Sequence, residues 1–199
     1  MIVLAHGAGG SMDDPLLVDL SAALVARGFG VARFNFRYRD EGRKIPDRAP
    51  VLEATFMEEL ESLRARAPRK SLRWIIGGKS MGGRMASHLM ARPTPPPARG
   101  LLLLGYPLHP PTKTTALRSE HLPALRVPTL FLQGTRDPLC DLKRLRRAIR
   151  PMGERATLEI VKEGDHSLAV PKRLAVRADH IASLADRIER WAVAIGRAS

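Results

Sequence analysis

Gly78-Lys79-Ser80-Met81-Gly82 is a G-x-S-x-G run between two segments of opposite periodicity. Ahead of it, Leu72-Arg73-Trp74-Ile75-Ile76-Gly77 reads as a strand, and behind it Gly83-Arg84-Met85-Ala86-Ser87-His88-Leu89-Met90 reads as a helix. A serine at such a strand-to-helix turn, a nucleophile elbow, is lifted clear of the sheet with its Oγ at the positive end of the helix. Glycines flank it because the turn leaves little room for a Cβ. Gly78-Lys79-Ser80 also mimics the end of a phosphate-binding G-x-x-x-x-G-K-[ST] loop. That loop needs a glycine at position 73, where this chain has Arg73, and the strand runs directly into Gly77. The nucleotide reading is rejected.

The surrounding pattern is that of an α/β protein. Apolar runs at 2–6, 30–36, 72–78, 100–106, 127–133 and 156–161 are expected strands of a mostly parallel sheet covered on both faces. Asp14 as N-cap, Pro15 at the first helical position and Gly28 as stop punctuate the first helix. Further helices are expected near 50–66, 80–91, 141–150 and 174–195. Residues 37–50 read as a charged loop, and the proline-rich stretch 92–99 as a connector at the end of the sheet opposite Ser80. With 199 residues, 44% apolar and no internal repeat, a single domain spanning 1–199 is expected.

The formal net charge of +13 raises the question of nucleic acid. The positive residues are dispersed, their densest cluster (Lys143 to Arg147) falls on one helix, and aromatics are only 5%. A nucleic-acid role is therefore discounted. No stretch suits a membrane span, no signal peptide is read, and the lone Cys140 fits a reducing, cytoplasmic setting. A homo-oligomer is left open.

A serine nucleophile needs a base, an orienter for that base and donors for an oxyanion, all on loops after strand carboxyl ends. Asp137 in Gly134-Thr135-Arg136-Asp137-Pro138 supplies an acid, and His166 in Glu163-Gly164-Asp165-His166-Ser167 supplies a base. His6-Gly7-Ala8-Gly9-Gly10 offers the Ala8 N–H to join that of Met81 as an oxyanion hole. Asp165 is read as a turn residue, Asp141 as an N-cap and His6 as a structural histidine. His88 lies too far along its helix from Ser80 to serve it, and His109, His121 and His180 are read as solvated. Cys140 is read as packing. Tyr106 and Leu108 are expected to wall the substrate pocket, with Lys79 nearby. Arg39, Arg43, Arg84 and Arg136 sit near strand ends and, with Lys79, read either as a group that favours an anionic substrate or as plain surface charges and ion pairs. No side-chain cluster has metal-ligand spacing, so no cofactor is expected.

These segments resemble the α/β-hydrolase superfamily. The likeness rests on His6-Gly7-Ala8-Gly9, Arg33-Phe34-Asn35-Phe36, Gly77 to Arg84, Gly105-Tyr106-Pro107-Leu108-His109, Gln133 to Asp137 and Gly164 to Ser167. Within the superfamily the chain is similar to the small, dienelactone-hydrolase-like branch of testis-expressed and NSL-complex-subunit proteins and their bacterial relatives. The resemblance implies Ser80 as nucleophile, Asp137 as acid and His166 as base, in that chain order, with Ala8 and Met81 as backbone donors. The chain departs from the family in starting on the strand that carries the His-Gly turn, so six parallel strands and an exposed or differently covered sheet edge are expected. Residues 107–126 are too short for a helical cap domain. The expected activity is a cofactor-free serine esterase or thioesterase acting on a small-molecule ester. The alternative is a catalytically idle scaffold that serves as a protein-interaction subunit.

Overall fold

The computed structural model describes residues 1–69 and 71–197. Six strands form one sheet in the order β2-β1-β3-β4-β5-β6. They are β1 (Ile2–Ala5), β2 (Val31–Phe34), β3 (Ile75–Lys79), β4 (Gly100–Leu104), β5 (Thr129–Gly134) and β6 (Ala156–Val161), and every neighbouring pair is parallel. The helices are α1 (Pro15–Val25), α2 (Arg37–Asp40), α3 (Ala49–Ala65), α4 (Met81–Met90), α5 (Leu142–Ile149) and α6 (Arg177–Arg197). Because the chain passes from β1 to β2 on one side and then to β3 on the other, the sheet has its switch point between β1 and β3. In open parallel sheets a crevice for ligands forms outside the strand ends at such a point.

The strands are apolar without strong alternation because both faces are covered. Val3, Ile76, Leu101, Leu103 and Phe131 pack with Phe56 of α3, Met85 and Leu89 of α4 and Leu145 of α5. Leu4, Leu102, Leu104, Leu130 and Leu132 point the other way, onto Leu17, Leu20 and Leu24 of α1 and Leu184, Ile188 and Trp191 of α6. This is a three-layer sandwich. Asp14 caps α1 by accepting the Leu16 N–H (3.1 Å), and Asp141 caps α5 by accepting that of Arg144 (2.8 Å).

Several strands end sooner than the apolar runs suggest. β2 stops at Phe34, the partner of Ala5 at the end of β1, and the Asn35 side chain beyond it accepts the Met12 N–H (2.8 Å) and donates to Asp40 (2.9 Å). Residues 37–40, expected as loop, form the short helix α2. Between β4 and β5 the only regular element is a 3-10 turn at Leu122–Ala124, so no cap domain covers the strand ends. Among the described residues no helix is long and apolar enough to cross a membrane.

The three histidines expected to be solvated are all engaged. His109 is buried with Nδ1 donating to the Pro110 carbonyl (3.0 Å), His121 meets the Ser87 hydroxyl (2.8 Å), and His180 donates to the Leu168 carbonyl (2.7 Å). Burial holds His6 and His88 below the ordinary imidazole value, and burial together with the His88 and Arg84 charges takes His121 down to about 4. Unfolded, these groups would protonate near ~6.5. Between those values the unfolded chain binds more protons than the folded one, so stability should be full above neutrality and fall as the pH drops toward 4. Each imidazole contributes at most about 1.4 kcal/mol per pH unit to that fall. Urea denaturation at a series of pH values should show the decline, and His121→Gln should make it shallower. A stability flat from neutrality to moderately acid pH would contradict the assignment.

Candidate active site

Ser80 stands between β3 and α4 with φ 51° and ψ −116°, a backbone conformation that a side chain makes costly. The surroundings enforce it. A Cβ on Gly78 or on Gly82 would run into the carbonyl oxygen of Ala5 in β1, so the first turn of α4 sits directly on the neighbouring strand. The Ser80 N–H donates to the Leu104 carbonyl of β4 (2.9 Å) and its own carbonyl accepts the Arg84 N–H (3.0 Å), which completes the transition from sheet to helix.

The loops after β5 and β6 bring two further groups to the serine. Ser80 Oγ lies 2.8 Å from His166 Nε2, and His166 Nδ1 lies 2.9 Å from Asp137 Oδ2. An ionised carboxylate can only accept, so Nδ1 carries the proton and Nε2 is free to accept from the serine hydroxyl. Asp137 is buried and accepts two more hydrogen bonds, from Gln133 Nε2 (2.6 Å) and the Leu139 N–H (2.8 Å). Three hydrogen bonds fix the direction of this carboxylate.

Gln133 had been given no role from sequence. Its Oε1 accepts the Tyr106 N–H (2.8 Å) while its amide holds Asp137, so it ties the end of β4 to the acid. The only signal was a polar residue near the end of the apolar strand Thr129–Gly134. Gly105, with φ 59°, and Gly134 have a structural role that their place in the sequence motifs does not reveal. A Cβ on the former would strike the His166 carbonyl and one on the latter that of Gly164, so the histidine loop rests on bare backbone at two strand ends.

The remaining sequence expectations divide. Asp165 Oδ1 accepts the N–H groups of Ser167 (2.8 Å) and Ala169 (2.9 Å), which makes it the organiser of the histidine turn. His6 is fully buried, donates from Nδ1 to the Gly7 carbonyl (2.8 Å) and accepts the Phe36 N–H at Nε2 (3.2 Å). Both ring nitrogens are occupied, so it braces the turn that carries Ala8. Ala8 is exposed, and Met81 opens α4, where the first N–H groups lack helical partners. His88 pairs with Glu53 (2.9 Å), away from the serine. Burial and the nearby Asp137 and Asp141 charges raise the Cys140 thiol to about 12, which keeps it protonated.

The expectation for Tyr106 and Leu108 is corrected. They are 1% and 0% exposed and sit within the core against Phe131 and its neighbours, so neither can wall an accessible pocket. The Tyr106 hydroxyl is turned inward to the Arg118 carbonyl. Lys79 is bound to the Asp14 carboxylate (2.6 Å) at a small cleft of about 140 Å³ with Ser167 and His180 in its wall. Arg43 pairs with Glu41 and Asp47, and Arg136 lies 4.0 Å from Glu163. Arg39 donates to the Arg43 carbonyl (3.4 Å).

Because Ser80 holds a positive φ, glycine should relieve strain there that alanine cannot. Strain of this kind is worth ~1–3 kcal/mol, against ~0.4–1 kcal/mol for the freedom glycine adds to the unfolded chain. Denaturant titration should find Ser80→Gly more stable than Ser80→Ala by about 1 kcal/mol. The reverse order would place the strain elsewhere.

Residues 1–193 match the family described as "Alpha/beta hydrolase domain". Among solved structures the fold is shared with dienelactone hydrolase from Anabaena variabilis (20% identity, 96% of this chain and 83% of that one, TM-score 0.71). It is shared also with an α/β serine hydrolase without lid from Xanthomonas campestris (20% identity, 96% and 82%, TM-score 0.69). A third is Est1E from Butyrivibrio proteoclasticus (12% identity, 98% and 87%, TM-score 0.74). A six-stranded parallel sheet with no cap domain over its strand ends and a family match over nearly the whole length lead to one conclusion: this chain belongs to the α/β-hydrolase family.

Proposed function

We propose that the chain is a serine hydrolase that cleaves a small carboxylic ester or thioester through an acyl-enzyme. The observation that carries the proposal is the continuous line of hydrogen bonds from Ser80 Oγ through His166 to the buried Asp137 carboxylate. Ser80 Oγ attacks the substrate carbonyl carbon as its proton passes to His166 Nε2, and Asp137 stabilises the imidazolium that forms. The carbonyl oxygen becomes an oxyanion, which the N–H groups of Ala8 and Met81 receive. On collapse the C–O or C–S bond breaks and the leaving group takes the proton from His166. Water, deprotonated by the same imidazole, then releases the acid and restores Ser80.

The absence of a cap supports short, water-soluble esters as substrates. Ser80 and His166 are each part-exposed, and Ala8 is open to solvent. The hydrolase and esterase names of the structural neighbours agree with this class of reaction. A lone thiol in the chain agrees with action in the cytoplasm.

With p-nitrophenyl acetate as substrate, Ser80→Ala should lose roughly three to six orders of magnitude in turnover while the fold persists. Undiminished hydrolysis by this variant would end the serine mechanism. Asp137→Asn, which favours the wrong His166 tautomer, should lose on the order of 10⁴. Asp165→Asn should lose far less, because an amide oxygen can still accept the turn hydrogen bonds. If Asp165→Asn is the crippled variant, Asp137 is not the acid.

A further inference from the structure

On the far side of α4 a cleft of about 460 Å³ opens between the helix and the connection from β4 to β5. Arg84 and His88 line it from α4, and Leu117, Arg118 and His121 from the connection; neither Ser80 nor His166 takes part. The charge inside is one-sided. Glu53 of α3, half-buried beside the cleft residues His88 and Arg92, is already bound to Arg92 (2.6 Å) and His88 (2.9 Å). Arg84 Nε is buried without a hydrogen-bond partner, and among the described residues neither the Arg84 nor the Arg118 side chain has an ion pair. Glu120 stands at the exposed rim.

Arg118 does not reach this place by chance rotation of a loose loop. Its N–H donates to the Leu108 carbonyl (2.8 Å) and its carbonyl accepts the Tyr106 hydroxyl. Its backbone is therefore fixed to two fully buried residues. Burial and the charge of Arg118 both disfavour the charged form of Arg84. Two guanidinium groups that line one cleft without an ion pair of their own, with the Glu53 charge only a lesser compensation at Arg84, are unfavourable by desolvation and by mutual repulsion, unless an anion completes them. Their planar forks suit an oxyanion, which can accept paired hydrogen bonds from each.

We propose that this cleft is a binding site for an oxyanion, the carboxylate or phosphate group of a small ligand, held between Arg84 and Arg118. The site stands independently of the serine chemistry, and its test needs no turnover.

Isothermal titration calorimetry of the whole chain at physiological ionic strength, with inorganic phosphate and separately with succinate, should give saturable one-site binding for at least one of the two. Phosphate alone would identify a phosphorylated ligand, and succinate alone a carboxylate. Arg84→Gln and Arg118→Gln should each weaken binding tenfold or more, as expected for loss of a charge-assisted contact. Arg136→Gln, which removes an exposed arginine elsewhere, should leave it unchanged and so exclude the diffuse field of a chain with formal charge +13. Should Arg84→Gln fail to fold, Arg118→Gln decides the matter, because the fixed contacts of residue 118 are all backbone. No saturable binding of either anion at millimolar concentration would overturn the proposal, as would variants that bind like the wild type or equal weakening by Arg136→Gln.

Discussion

The contact on which the site depends is the one between the first turn of α4 and the backbone of β1. Gly78 and Gly82 both abut the Ala5 carbonyl, and no side chain fits between them and that oxygen. With helix and strand so close, the chain can pass from β3 into α4 only through a sharp turn, and Ser80 takes the strained conformation at its apex. Strain at one residue is tolerated because the layers on either side are well packed. Val3 and Ile76 meet α3 and α4 on one face, while Leu4 and Leu102 meet α1 and α6 on the other. The same contact places Met81 beside the turn that follows β1, so the serine and both candidate oxyanion donors come from one piece of local geometry.

Asp137 and His166 arrive from more distant parts of the chain and are held differently. Strand pairing sets β4, β5 and β6 side by side. The loops after β5 and β6 then meet over the bare backbone of Gly105 and Gly134. Gln133 fastens the loop after β5 to the end of β4 by holding Asp137 and the Tyr106 N–H together. In a parallel sheet the strand carboxyl ends all lie at one edge, so residues far apart in sequence gather there without a long loop.

Much of this was legible in the residues because local chemistry determines it. Alternating apolar runs and helical stripes identify a covered parallel sheet, and the capping roles of Asp14 and Asp141 follow from their positions before helices. The serine turn declares itself through its glycines. What stayed hidden depends on contacts distant in sequence. Tyr106 follows a strand as a pocket residue would, and only the Gln133 and Arg118 contacts reveal that it turns into the core. His109, His121 and His180 lack any sequence pattern, yet each finds a partner in the fold. Composition could not say that Arg43 and Lys79 would be neutralised by local acids while Arg84 and Arg118 would not.

The central claim is that the fold makes Ser80 a nucleophile through His166. Reaction with a fluorophosphonate, followed by intact mass and peptide mapping, tests that directly. One adduct per chain, located on Ser80 and lost in His166→Ala, is the predicted result. A chain that stays unlabelled, or is labelled at another residue with His166→Ala reacting as fast, would contradict it.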